Sequence, residues 1–216
     1  LKGSKTLMEV YRSCGNEQIK RATVPILFDP GKEPDSKPRL INNESAQLIE
    51  ILDSWPLSNE SFELNPKYYQ EEIAKWQELI QENINNGVYK CGFARNQTAY
   101  ENASKDLFSS LNIIEEKLHL KGPWLCGKDL TIADIRLFPT LIRWESVYEP
   151  LFKCSKRPIQ SFPNIIKWRK TIFKLYNIKQ TCNTDAWRKD YFGALFPLNP
   201  SSIIPKGESI SKIVNQ

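Results

Sequence analysis

The chain has 216 residues, 40% of them apolar with six Trp and ten Phe, which suits one large or two small domains with a substantial core. Charged residues make up 25% and are mixed in sign, which excludes a disordered polyelectrolyte; a net charge of +5 without long Lys/Arg blocks gives no nucleic-acid footprint. No apolar run approaches the ~18 residues of a membrane span, and five scattered cysteines beside a single histidine give no zinc spacing, so neither a membrane nor a metal is expected.

The first elements read as a small α/β unit over residues 1–54. Leu1 to Tyr11 reads as a helix end or loop-helix piece. Thr23-Val24-Pro25-Ile26-Leu27-Phe28 is a short β-like run, followed by a turn-rich stretch with Asp29-Pro30-Gly31, Pro34 and Pro38. Leu40-Ile41 is a second short strand, so an antiparallel hairpin is predicted. Asn42-Asn43-Glu44-Ser45 then leads into Leu48, Ile49 and Leu52, the apolar face of a helix starting near Glu44–Ser45. Two strands alone are marginal in water, so this unit reads as incomplete.

Residues 55–66, rich in Pro, Ser and Asn, are predicted to be a linker. An all-helical domain is predicted over 67–195. Ile73, Trp76, Ile80 and Ile84 line one helix face; Ala103, Leu107, Leu111, Ile114 and Leu118 line another, stopped by Gly122-Pro123. Ile132 to Ile142 marks a third helix containing Pro139, and Ile165, Trp168, Ile172 and Leu175 a fourth. Residues 196–216 read as an extended tail. The fold class is therefore α+β, mainly α.

Three local signals stand out. Pro25 cannot donate to a sheet ladder and suits either an ordinary strand edge or a tight bend, including a cis one. At Asn43-Glu44-Ser45 a helix N-terminus offers unpaired N–H groups beside an acidic side chain. That pairing suits an amino-acid zwitterion, or it is plain helix capping. Thr131-Ile132-Ala133-Asp134 forms an S/T-x-x-D capping box, a folding device. Arg136, Arg143 and Glu145 read as an ion-pair network or a solvated face. Cys91 and Cys154 each follow a lysine, which lowers a thiol's pKa, although a free cysteine is more often a small buried hydrophobe.

In this order the signals resemble the glutathione transferases. Longer runs are similar to the xi class, the glutathionyl-hydroquinone reductases: Asn42-Asn43-Glu44-Ser45, residues 85–94 (NNGVYKCGFA), and Leu130 to Phe138. So are Val147-Tyr148, Phe152-Lys153-Cys154, Lys189-Asp190-Tyr191-Phe192, Leu198-Asn199-Pro200 and Ile203-Ile204-Pro205. The resemblance covers nearly the whole chain. It implies a thioredoxin-like glutathione-binding unit followed by a helical domain. Glutathione is the implied co-substrate, with Val24 before Pro25 pairing its cysteinyl part and Glu44 and Ser45 holding its γ-glutamyl end. Tyr89, Tyr191 and, less directly, Tyr148 are implied to face the quinol; otherwise each is a core aromatic with its hydroxyl at the rim.

The implied chemistry uses a Cys-Pro-Trp-Ala cysteine, whose thiolate takes the glutathionyl sulfur and releases the quinol; a second glutathione then leaves with it as oxidised glutathione. That motif is not in this sequence, and the nucleophile is expected upstream of Leu1. The alternative is a transferase-like chain that binds glutathione or a partner without turnover. Conjugation by a tyrosine- or serine-activated glutathione ranks last. A homodimer through the helical domain and a cytoplasmic location, with the plastid open, complete the expectations.

Overall fold

The computed structural model describes residues 3–32, 36–55 and 63–215. The chain divides into two compact units, Leu1–Glu63 and Leu64–Gln216. The boundary falls within the stretch expected as a linker, of which residues 56–62 lie outside the described residues, as do Leu1, Lys2 and Pro34. The expected α+β, mainly helical class is the one observed.

In the first unit, helix α1 (Leu7–Ser13) is capped by Thr6, whose hydroxyl accepts from Glu9 N–H at 3.2 Å. Strands β1 (Leu27–Asp29) and β2 (Arg39–Asn42) pair antiparallel, with Leu27 opposite Asn42. Helix α2 (Ser45–Asp53) follows. The first strand is shorter than expected. Pro25 has no N–H for a ladder and Thr23 gives its carbonyl to the buried Tyr11 hydroxyl at 2.8 Å, so pairing begins only at Leu27, with an irregularity before Phe28.

The second unit is helical. Helix α3 (Gln70–Leu79) runs through a π-helical segment, Ile80–Asn85, into α4 (Asn86–Gly92). Ile73, Ile80, Ile84 and Val88 are buried along it. A π turn inserts an extra residue and rotates the face that follows it. Here Asn85 is bound from α6 (Ile132–Ile142): Thr140 Oγ1 donates to its Oδ1 at 2.6 Å, and its Nδ2 donates to Arg136 O at 3.2 Å. The long helix α5 (Gln97–Lys121) buries Ala103, Leu107, Leu111, Ile114 and Leu118, the predicted stripe, and ends at Gly122.

Helix α6 opens on the predicted capping box. Asp134 is fully buried and serves more than its own helix. Its carboxylate accepts from Thr131 N–H at 3.1 Å, from Leu125 N–H at 3.1 Å and from the Trp168 indole at 2.8 Å. Burial still leaves the carboxyl above the usual range, against those donors. After Arg143 the chain makes a second π segment, Trp144–Tyr148, then α7 (Glu149–Phe152). Helix α8 (Pro163–Phe173) starts on Glu115 of α5, whose carboxylate accepts from the N–H groups of Asn164 and Ile165, each at 2.9 Å. Helix α9 (Thr184–Ala194) is capped by Asn183.

The tail is not extended throughout. Ile210–Asn215 forms a short helix, α10, that buries Ile213 and Val214 and packs against α8. Apolar residues at Ile210, Ile213 and Val214 share one helical face. Arg188 of α9 fixes the approach by donating to Gly207 O at 3.3 Å and Glu208 O at 3.2 Å.

Asp134→Ala removes the acceptor of four buried donors, the Thr131 hydroxyl among them, and removes a cap. It is expected to destabilise the helical unit by about 3–5 kcal/mol. Urea unfolding followed by tryptophan fluorescence measures this; a loss below about 1 kcal/mol would show that the hub is dispensable.

Candidate functional site

In the first unit the Val24–Pro25 peptide bond is cis. Val24 is 73% exposed, and among the described residues its N–H and C=O have no hydrogen-bond partner. The bend is held from behind by the Tyr11–Thr23 hydrogen bond. The hairpin register brings this bend and the α2 start to one end of the sheet. Leu27 faces Asn42, so Val24-Pro25 lies just before one strand and Glu44-Ser45 just after its partner. Glu44 is the N-cap of α2 and makes no side-chain cap bond; Asn42 Oδ1 instead accepts the Glu44 N–H at 2.7 Å. Both Glu44 and Ser45 are exposed, and the Ser45 hydroxyl has no partner among the described residues. This end therefore presents a free backbone edge, a helix N-terminus and one carboxylate, the complement of an extended peptide with a charged amino-acid end.

In the second unit, three tyrosines far apart in sequence meet. Tyr89 comes from α4, Tyr148 from the end of the second π segment and Tyr191 from α9. The Tyr191 hydroxyl lies 3.0 Å from that of Tyr89 and 3.1 Å from that of Tyr148. Phe152 forms their common floor, with ring centroids 5.1 Å from Tyr89, 5.3 Å from Tyr148 and 5.9 Å from Tyr191, all steeply tilted. Gly92 is required for this packing: a Cβ there would come within 2.3 Å of the Phe152 ring. Tyr148 is buried, whereas Tyr89 is 38% exposed, so the chain of hydroxyls leads from the interior to the surface. Burial pushes the Tyr89 and Tyr148 phenols well above the ordinary phenol range, and the neighbouring Tyr191 adds to it.

The charge beside this network is Arg143. Its guanidinium stacks on Trp187 with 4.8 Å between Cζ and the ring centroid, and Nη1 donates to Pro139 O at 2.7 Å. Its field opposes the upward shift of Tyr89 and Tyr148. Sequence reasoning grouped Arg143 with Arg136 and Glu145, and the three separate in space. Glu145 pairs with the buried Arg169 through two bonds of 2.7 and 2.8 Å. Arg136 donates to Gln81 at 2.6 Å. Among the described residues Arg143 has no carboxylate partner, and its buried Nε has no acceptor. No sequence signal distinguished it, because the acid nearest in sequence, Glu145, is taken by Arg169 from another helix. Among the described residues no group of three or more His, Cys, Asp or Glu could hold a metal ion, and no helix is long and apolar enough to cross a membrane.

Comparison with known proteins places this architecture. Residues 97–171 match the glutathione S-transferase C-terminal domain. The glutathionyl-hydroquinone reductase PcpF of Sphingobium chlorophenolicum is 36% identical over 213 residues, covering 96% of this chain and 65% of PcpF. The glutathionyl-hydroquinone reductase YqjG of Escherichia coli K12 is 34% identical over 203 residues, covering 93% of this chain and 60% of YqjG. The chain thus spans less than two thirds of the length of these two relatives. The crystal structure of the glutathione transferase Xi from Phanerochaete chrysosporium matches with a TM-score of 0.88 at 33% identity, over 96% of this chain and 70% of that one. The glutathione-bound structure of YqjG matches with a TM-score of 0.87 at 31% identity, over 97% of this chain and 68% of that one. The hairpin unit is accordingly part of a thioredoxin-like fold, and the chain belongs to the xi class of the glutathione transferase family.

Proposed function

We propose that this chain supplies the γ-glutamyl site and the quinol site of a glutathione-dependent reductase of glutathionyl-hydroquinones. The observation that carries this reading is the hydroxyl network of Tyr89, Tyr148 and Tyr191 over an aromatic floor. A hydroquinone is a flat ring with oxygens on opposite edges. Stacked or tilted rings bind its faces, and phenol hydroxyls bind its oxygens.

The reaction needs a thiolate, a sulfur acceptor and a proton. A cysteine in a Cys-Pro-Trp-Ala motif, absent from these 216 residues, attacks the glutathionyl sulfur. The bond between that sulfur and the ring carbon breaks. The carbon keeps the electron pair and takes a proton, and the enzyme is left as a mixed disulfide with glutathione. A second glutathione releases it as glutathione disulfide. In this reading Tyr89 and Tyr191 hydrogen-bond the quinol oxygen and help to deliver the proton, while Tyr148 holds Tyr191 from behind. Raised phenol pKa values serve that role, since neutral hydroxyls donate hydrogen bonds throughout the neutral range. Val24 pairs with the cysteinyl part of glutathione, on the far side of the Pro25 bend. Ser45 and the α2 N-terminus take its α-carboxylate, and Glu44 its ammonium. A homodimer through the helical unit and a cytoplasmic site belong to the same reading.

Three outcomes are expected. Glu44→Ala and Ser45→Ala should each weaken glutathione binding about five- to tenfold, measured by protein-observed NMR titration; unchanged affinity would move the γ-glutamyl site elsewhere. The 216-residue chain itself should not release menadiol from glutathionyl-menadione, and turnover would show that its own residues carry the nucleophile. The third outcome concerns pH. The folded Tyr89 and Tyr148 phenols titrate above their unfolded value, so their stabilising contribution is complete below about pH 10 and is lost as pH rises through the folded values. Absorbance titration should show a late phenol ionisation that coincides with unfolding. A Tyr148→Phe chain should lack part of that late step; ionisation of every tyrosine near pH ~10 in the folded protein would contradict it.

A further inference from the structure

Two thiols unused by the proposed reaction lie beside the aromatic floor. Cys91 stands two residues after Tyr89, and Cys154 two residues after Phe152; they are 1% and 0% exposed. The segments that carry them are fastened together around the thiols. Lys153 Nζ donates to Gly92 O at 3.3 Å, and Gly92 packs directly on Phe152. Lys153 adopts a left-handed conformation, φ 61°, which turns the chain so that Cys154 N–H reaches back to Tyr148 O at 3.2 Å. The two thiols are near enough to perturb each other's ionisation, while the Cys154 Sγ–H donates to Phe152 O at 3.8 Å.

A cleft of ≈ 360 Å³ leads to Cys91, lined also by Arg95, Tyr100 and Lys153. The Tyr100 hydroxyl donates to Lys153 O at 2.8 Å and closes one wall. The two sulfurs are chemically unequal. The neighbouring Cys154, with the charge of Lys153, holds the Cys91 thiol below its ordinary range against the effect of burial. The contact with Cys91 and burial push Cys154 up. A thiolate-prone sulfur at a basic cleft, backed by a protonated partner, is the arrangement of an attacking and a resolving thiol.

We propose that Cys91 and Cys154 form a redox-active pair that closes to an intramolecular disulfide when hydrogen peroxide enters the cleft lined by Arg95, Tyr100 and Lys153. The Cys91 thiolate attacks one peroxide oxygen. An S–O bond forms, the O–O bond breaks, and the departing hydroxide takes a proton and leaves as water. Cys154 then gives up its proton and attacks the Cys91 sulfur. The S–S bond forms, the S–O bond breaks, and the second oxygen leaves as water. The two sulfurs lose two electrons in total, and the peroxide is reduced to two waters. The new bond ties α4 to the segment after Phe152 and so fixes the floor under Tyr89, Tyr148 and Tyr191. The proposal stands on the thiols and the cleft and does not depend on the quinol reading.

The test is peptide mapping of the whole chain after limited treatment with hydrogen peroxide. Trypsin cuts after Lys90, Arg95, Lys153 and Lys156, so each thiol lies on its own short peptide. The expected product is a chain lacking two hydrogen atoms whose 91–95 and 154–156 peptides are joined and are separated again by dithiothreitol. Cys126→Ser should keep the link; Cys91→Ser should abolish it and leave Cys154 a free thiol. Mapping of the unsubstituted chain decides the matter even if a variant fails to fold. The proposal is overturned if the two peptides stay unlinked at peroxide levels that oxidise the less buried Cys14. It is equally overturned if Cys91 ends as a sulfinic acid beside an unreacted Cys154.

Discussion

The helical unit depends on one buried carboxylate. Asp134 accepts from the turn at Leu125, from its own helix start at Thr131 and from the indole of Trp168 on α8. Three pieces of chain thus converge on two oxygens. Taking a carboxylate out of water costs several kcal/mol, and donors that fill its lone pairs offset the cost only with good geometry. The geometry is good here, with every contact between 2.8 and 3.2 Å. What Asp134 fixes is the start of α6, and α6 leads directly into Arg143 and the π segment that ends on Tyr148. The hub and the candidate site are therefore joined by one short, continuous run of backbone.

The site itself is an aromatic construction with a polar rim. Phe152 touches all three tyrosines, and Gly92 is bare so that Phe152 can come close. Each tyrosine arrives from a different part of the unit, so no single helix determines the cluster. The two π segments matter because each shifts register next to a tyrosine-bearing stretch, one before Tyr89 and one ending on Tyr148. Regular α-helix through either segment would turn these side chains to other faces. Arg143 places a positive charge beside neutral phenols, which favours any oxygen that gains negative charge there.

Much of this was legible in the sequence, for identifiable reasons. The stripe from Ala103 to Leu118 and the Thr131–Asp134 box are local patterns, read within one element and observed as such. The helix start at Glu44–Ser45 and the bend before β1 are local as well. The meeting of Tyr89, Tyr148 and Tyr191 was implied only by resemblance, since its closest pairs are 43 and 102 residues apart. Three features escaped. The π segments leave no mark in the apolar period, because Ile80 and Ile84 keep a spacing that an α-helix shares. The pairing of Glu145 with Arg169 left Arg143 without a carboxylate partner among the described residues, which is a tertiary outcome. The tail read as extended from its Pro, Ser and Asn content, yet its last apolar residues found α8 and formed a turn and a half of helix.

The central claim is that a hydroquinone binds over the tyrosine network. Fluorine NMR of the chain labelled with 3-fluorotyrosine, titrated with a naphthohydroquinone under reducing conditions, addresses it directly. The account predicts that the Tyr89 and Tyr191 resonances move together and saturate, while the exposed Tyr68 and Tyr176 stay in place. Unmoved Tyr89 and Tyr191 signals, or equal shifts at all four, would contradict it.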